Sequence, residues 1–220
     1  MTFRQSSVFP IDPRHLVGIA IKAYQGGRFM HVGLVYVRRS GEIYLAHLAS
    51  HNEALDEPVP NDEGYFWDDC EWLADPELDS LRDLIANFVE LCAVTKEIPY
   101  GPDPLGSGFD PQGRYIRTDV RAGLTCATYI SAMFAGIGFP VVDLSTWISR
   151  PDDKTWWSAM TAMLGRQHPE RTLELEGLEV GFRLRPNEVA VATASPDAPI
   201  NFHQAVERSY VFKGLFNEFA

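Results

Sequence analysis

Two apolar, β-branched segments separated by a glycine-containing loop constrain the fold of this chain most strongly. Residues 29 to 37 read FMHVGLVYV and residues 42 to 50 read EIYLAHLAS, and both patterns are typical of β-strands. The loop at residues 39 to 41, Arg-Ser-Gly, suits a three-residue hairpin turn whose last residue is left-handed, a conformation that favours glycine. The loop therefore predicts an antiparallel hairpin in which Arg38 pairs with Glu42.

The same register brings two histidines together. It places His47 opposite Gly33 and His31 opposite Ala49, so both imidazoles lie on one face of the hairpin as diagonal neighbours within side-chain reach. Gly33 has no side chain and leaves room for the His47 ring. A two-residue loop would instead place the histidines on opposite faces.

The rest of the chain predicts an α+β fold with strands first, helices in the middle and strands near the end. Asp75, followed by proline, is expected to begin a helix that runs to about Lys96. Its apolar face is predicted to comprise Leu81, Leu84, Ile85, Phe88 and Cys92. The other assignments are a strand at 16 to 23, an irregular acidic stretch at 51 to 76, helices at 123 to 138 and from Asp152 or Asp153 through Leu164, a solvated loop at 165 to 172, and two strands within 178 to 193.

Cys126 is the candidate nucleophile because it begins an apolar helix. Thr125 is the expected N-cap, so the sulfur lies in the first turn, where free N–H groups and the helix dipole favour a thiolate. His31 would be the base, His47 would orient it, and the Cys126 N–H would stabilise an oxyanion. The competing interpretation is that Cys126 is a small buried hydrophobe and His31 a hydrogen-bonded core residue.

Composition excludes several classes of function. The chain has 220 residues and a net charge of −11, and no Lys/Arg cluster could bind a nucleic-acid backbone. The three cysteines show no Cys-x-x-Cys spacing, so neither a disulfide framework nor a zinc site is expected. Chemistry at a cysteine with a histidine base requires no metal or organic cofactor, and none is expected. No signal peptide or membrane span is recognised, and we expect a protein that is cytoplasmic as synthesised, or exported by a leaderless secretion system.

Three strings resemble the permuted NlpC-type papain-like cysteine peptidase and amidase superfamily, which includes the lecithin:retinol acyltransferase-like enzymes. They are HVGLVY at 31 to 36, His47 on the next strand, and GLTCATYISAMFAGIGFPVVD at 123 to 143. The order His, His, Cys matches the permuted branch, and the resemblance covers residues 16 to 143. It departs from the acyltransferase-like branch, whose Asn-Cys-Glu is replaced here by Thr-Cys-Ala.

The resemblance implies a single papain-like domain over residues 1 to 220, with an antiparallel sheet packed on a buried nucleophile helix. Residues 144 to 185 would be an insertion or elaboration of it. It also implies a catalytic set of Cys126, His31 and His47, with Tyr100 and Thr125 lining the substrate site.

The expected activity is that of a thiol hydrolase which cleaves an amide or peptide bond through an acyl-enzyme. The resemblance points to a small peptide or cell-wall fragment, most plausibly a peptidoglycan stem peptide, as the substrate. One alternative is acyl transfer or thioester hydrolysis on a lipid or protein, which requires an apolar channel; Trp156 and Trp157 are its candidate walls. Another is a non-catalytic module that docks a basic partner through the acidic loop at 62 to 75. Oligomeric state is left open.

Overall fold

A six-stranded antiparallel sheet carries seven α-helices in the computed structural model, which describes residues 1–11, 17–24, 29–59, 64–103, 108–119, 121–178 and 181–217. The order across the sheet is β1-β6-β2-β3-β4-β5, with antiparallel neighbours throughout. The α+β class is confirmed. The elements are β1 Arg4–Gln5, β2 Val17–Tyr24, β3 Phe29–Val37, β4 Ile43–Ser50, β5 Glu53–Pro58, β6 Phe66–Asp69, α1 Asp79–Ala93, α2 Cys126–Gly136, α3 Pro151–Leu164, α4 Pro169–Leu175, α5 Pro186–Ala194, α6 Phe202–Arg208 and α7 Val211–Asn217.

The hairpin of β3 and β4 has the register that its loop predicts. Residues 34 to 37 pair with residues 46 to 43, and the Arg38 N–H donates to the Glu42 carbonyl at 2.9 Å. Gly41 is left-handed, with φ at +85°. A Cβ atom on Gly33 would lie 3.1 Å from the His47 Cβ, so the missing side chain does make room for that histidine.

The two faces of the sheet bury different sets of side chains. Alternate residues of a strand point to opposite faces. The face that we call the helix face packs β3 residues Val32, Leu34 and Tyr36 against α1, α2 and α5 in one large core. The other face, called here the open face, buries a small cluster of Ala20, Val35, Leu45, Tyr65 and Trp67.

Helix α1 differs from its prediction at both ends and on one side. Asp75 caps a short 3-10 turn at Pro76–Leu78, and the α-helix that follows ends at Ala93 instead of about Lys96. Leu84, predicted to face the core, is 54 % exposed, whereas Val89 is buried. The apolar face is therefore rotated away from Leu84, because the helix packs through Ile85, Phe88, Val89 and Cys92.

Several assignments outside the hairpin were wrong. The stretch at 51 to 76 contains β5 and β6, although residues 60–63, including Asp62 of the acidic loop, lie outside the described chain. The loop predicted at 165 to 172 includes the start of α4. The strands predicted within 178 to 193 are replaced by α5, which has proline at its first position and a Glu188 carboxylate that accepts from the Arg185 N–H.

Helix α2 is buried on nearly all sides, as its composition predicts. It spans Cys126–Gly136, and its residues from 126 to 134 are all buried. Gly138 follows it with φ at +81°. Within the described part of the chain, no helix is long and apolar enough to cross a membrane.

Candidate active site

Thr125 fixes the start of α2 and so fixes the position of Cys126. Its hydroxyl accepts a hydrogen bond from the Thr128 N–H at 3.2 Å, and the Thr128 hydroxyl accepts from the Thr125 N–H at 2.7 Å. This reciprocal capping box satisfies two N–H groups at the helix start. Cys126 is the first helical residue, as predicted, and only 9 % of it is exposed.

Burial outweighs the helix terminus in setting the protonation of the Cys126 thiol. The backbone N–H groups of Val32, Cys126 and Ala127 and the Arg183 guanidinium all favour the thiolate. Desolvation acts in the opposite direction and is larger, so the pKa of the thiol lies above its ordinary value. The expectation of a preformed thiolate was therefore wrong: the resting sulfur is protonated near neutral pH.

His31, His47 and Glu57 form a hydrogen-bonded chain on the open face. His31 Nε2 lies 2.7 Å from His47 Nδ1, and His47 Nε2 lies 3.1 Å from Glu57 Oε1. An ionised Glu57 accepts only, so His47 donates from Nε2 and a neutral His47 accepts at Nδ1 from His31. His31 then keeps its free lone pair on Nδ1. The sequence predicts the two histidines, but Glu57 was missed because β5 itself was not recognised.

His31 is held in its neutral form. Burial, with smaller contributions from His47 and Lys22, lowers its pKa from 6.5 to about 3. A neutral imidazole can accept a proton, but one with so low a pKa is a weak base near neutral pH.

No hydrogen bond joins the histidine chain to Cys126 among the described residues. His31 has the same strand parity as Val35, which lies in the open-face cluster, whereas α2 packs on the helix face. Among the described residues, neither histidine is hydrogen-bonded to the Cys126 thiol, which is instead influenced by backbone N–H groups and the Arg183 guanidinium. The structure thus brings His31 and His47 together but forms no hydrogen bond between His31 and Cys126.

One cavity nevertheless borders both Cys126 and His31. It has a volume of about 340 Å³ and lies where β2 ends and β3 begins, so residues of both faces of the sheet reach it. Tyr100 and Thr125 line it, as predicted. Its walls are mainly apolar, with Phe29, Met30, Leu48, Trp156, Met160 and Met163 as their large members. Trp157, the other predicted wall, is instead packed in the core.

Arg171 of α4 holds the segments on which the cavity and the nucleophile depend. It is buried, its Nε donates to the Tyr100 carbonyl at 3.0 Å, and its Nη2 donates to the Ala122 carbonyl. Gly123, with φ at +135°, lets the segment that contains Ala122 pack closely against the segment that contains Tyr100. A Cβ atom on Gly123 would lie 2.8 Å from the Gly101 nitrogen. Arg171 was assigned to a solvated loop, so this role was missed.

Other reactive side chains do not form a second centre. Cys70 and Cys92 are buried, and desolvation raises the pKa of each thiol well above its ordinary value. His51 accepts the Tyr100 N–H at Nδ1 and has a lowered pKa because of burial. No group of three metal-ligating side chains occurs among the described residues.

Comparisons with protein-family models, with curated proteins and with solved structures find no match to this chain.

Alkylation tests the protonation of Cys126. Because burial raises the pKa of its thiol above the ordinary value, the rate of carbamidomethylation by iodoacetamide should rise about tenfold per pH unit from neutral pH into the alkaline range. Peptide mapping by mass spectrometry separates Cys126 from Cys70 and Cys92, which should react only on unfolding. A rate that levels off near neutral pH would show a preformed thiolate instead.

Acid unfolding tests the neutral state of His31. Between pH 6.5 and about 3, the unfolded chain binds a proton at this histidine that the folded protein excludes, so stability falls as the pH is lowered. His31→Gln should make the free energy of unfolding depend less steeply on pH in that window. The exposed His203 provides the control, since His203→Gln should leave the dependence unchanged. If the free energy of unfolding had the same pH dependence in His31→Gln as in the native protein, His31 would not be held neutral by the fold.

Removing Arg171 should destabilise the protein. Arg171→Met leaves the buried Tyr100 and Ala122 carbonyls without their donor, at a cost of about 1–3 kcal/mol per group. Urea unfolding measures the change. Arg166 is exposed on the same segment, and Arg166→Met should change stability by less than about 0.5 kcal/mol. Equal effects of the two substitutions would contradict a stabilising role for the Arg171 hydrogen bonds.

Proposed function

We propose that this protein is a thiol-dependent acyl hydrolase or acyltransferase that acts on thioesters of apolar acyl groups, with Cys126 as the nucleophile. The observation that carries the proposal is the position of the Cys126 thiol. It lies at the start of a helix, among backbone N–H groups, on the wall of an apolar cavity. N–H groups in that place can also stabilise the oxyanion of a tetrahedral intermediate.

The neutral state of His31 favours a thioester over an amide. When an amide is cleaved, the departing amine must be protonated by a nearby acid, and His31 is neutral and not hydrogen-bonded to the sulfur. A thiolate leaves without that assistance. The apolar walls add a second argument, because a peptidoglycan stem peptide is polar and charged, whereas an acyl chain matches Trp156, Met160 and Met163.

Hydrolysis of the thioester would take place in two stages, acylation of Cys126 and release of the acyl group. Cys126 loses its proton to solvent, and its sulfur adds to the thioester carbonyl. The substrate's C–S bond then breaks, and the leaving thiolate takes up a proton. Water next adds to the carbonyl of the acyl-enzyme, with the neutral His31 on the cavity wall placed to take one of its protons, and the C–S bond to Cys126 then breaks. The proton on His31 passes to the Cys126 sulfur and re-forms the thiol, while the second proton goes to solvent as the carboxylate is released.

The papain-like assignment belongs to this proposal. A cysteine at the start of a buried helix, packed on an antiparallel sheet, with two histidines earlier in the chain, supports the permuted NlpC-type superfamily. The placement of the histidine chain on the open face is the feature that this assignment does not explain.

Acylation of Cys126 tests the function directly. The decanoyl thioester of N-acetylcysteamine should transfer its acyl group to the Cys126 peptide, as seen by mass spectrometry, with release of one thiol. The acylation rate should rise with pH in parallel with the alkylation of Cys126, because both report the same ionisation. Cys126→Ala should abolish acylation, and Cys92→Ala should retain it.

Two further substrates separate the competing functions. The decanoyl amide of the same acyl group and a muropeptide carrying an intact stem peptide should be cleaved far more slowly than the thioester. Cleavage of the muropeptide without acylation by the thioester would instead identify a peptide hydrolase. No acyl-enzyme with any of the three would contradict a catalytic role for Cys126.

A further inference from the structure

Arg183 is a cation in the wall of a mainly apolar cavity. It lines the same cavity as Cys126, and no acidic side chain lines that cavity among the described residues. Nine other arginines form ion pairs with carboxylates: Arg4, Arg38, Arg82, Arg114, Arg117, Arg150, Arg171, Arg185 and Arg208. Arg183 forms none with any described residue.

The guanidinium is held in place without being neutralised. It stacks on Trp156, with 3.7 Å between Cζ and the ring centroid, and its buried Nε has no hydrogen-bond partner. The Arg183 carbonyl accepts from Arg150 Nη2 at 2.8 Å, which fixes the backbone. Burial lowers its pKa to about 10, so the group is charged at neutral pH.

We infer that this cavity binds a medium-chain carboxylate, with the carboxylate on the Arg183 guanidinium and the alkyl chain between Trp156, Met160 and Met163. A guanidinium and a carboxylate form paired, charge-assisted hydrogen bonds. A cavity of about 340 Å³ lies at the lower end of the usual range for small-molecule sites, about 300–1,000 Å³, which favours a medium over a long chain.

The inference deepens the proposed function and rests on it for its biological meaning, because the hydrolysis of an acyl thioester yields such an acid beside Cys126. The binding itself requires no nucleophile. Measuring binding with Cys126→Ser therefore separates carboxylate binding by the cavity from acylation of Cys126. The variant can bind the carboxylate even if the native protein is not acylated, and the native protein can be acylated even if the variant does not bind the carboxylate.

The test compares three ligands that share one alkyl chain. Titration calorimetry with Cys126→Ser at neutral pH should show decanoate binding about ten- to a hundredfold more tightly than decanol, the range expected for a hydrogen-bonded charge. Decyltrimethylammonium should bind more weakly than decanol, because its cation meets that of Arg183. Equal affinities for decanoate and decanol, or no binding of either, would overturn the inference.

Substitution at Arg183 assigns the effect to the guanidinium. Arg183→Met should remove the preference for decanoate and leave the affinity for decanol within about twofold, while Arg183→Lys should retain part of the preference. Arg208 is the matched control: it pairs with Asp197 outside the cavity, so Arg208→Met removes the same charge and should leave decanoate binding unchanged.

A purely structural role for Arg183 predicts a different pattern. If the guanidinium only supported Trp156, Arg183→Met would weaken decanoate and decanol binding equally, and that result would contradict the inference. Because the comparison of decanoate with decanol needs no substitution at Arg183, the inference remains testable even if that variant does not fold.

Discussion

The alternation of side chains along β3 determines how the candidate site is built. Val32 and Leu34 point to the helix face, on which α2 packs, while His31 points to the open face and is hydrogen-bonded there to His47 of β4. Strand β3 thus lies between the histidine pair on the open face and Cys126 on the helix face, although the sequence predicts that all three residues form one catalytic set. His31 and Cys126 share an environment only at the start of the strand, where the cavity meets both faces, and chemistry that involves both groups must occur there.

Burial decides the charge of both groups. A helix terminus stabilises a nearby charge by about 0.3–1 kcal/mol, and up to about 2 kcal/mol in partly buried sites, whereas removing an ion from water costs several kcal/mol. The Cys126 thiol and the His31 imidazole are accordingly both neutral in the resting protein. Ionisation of the sulfur then depends on pH, or on a cation such as Arg183, and does not follow from its place at a helix start.

Local rules predicted those parts of the site that depend on a single loop or cap. The left-handed Gly41 set the hairpin register and hence the contact between His31 and His47, and Thr125 set the position of Cys126 at the start of α2. The face on which α2 packs is a tertiary choice that no local pattern encodes. Glu57 and Arg171 lie in segments that were not recognised, and a stretch such as the β-branched VAVAT suits a strand as well as the buried helix α5 that it forms.

The reactive groups and the cavity walls come from different parts of the chain. The resemblance to papain-like enzymes covers residues 16 to 143, which contain His31, His47 and Cys126. Trp156, Met160 and Arg183 lie beyond it, in the segment interpreted from the sequence as an elaboration. A resemblance confined to the reactive groups bears on the type of chemistry but carries little information about the substrate. The walls bear on the substrate more directly: under the function proposed for Cys126, an apolar chain with an anionic end matches Trp156, Met160 and Arg183 better than a cell-wall peptide does.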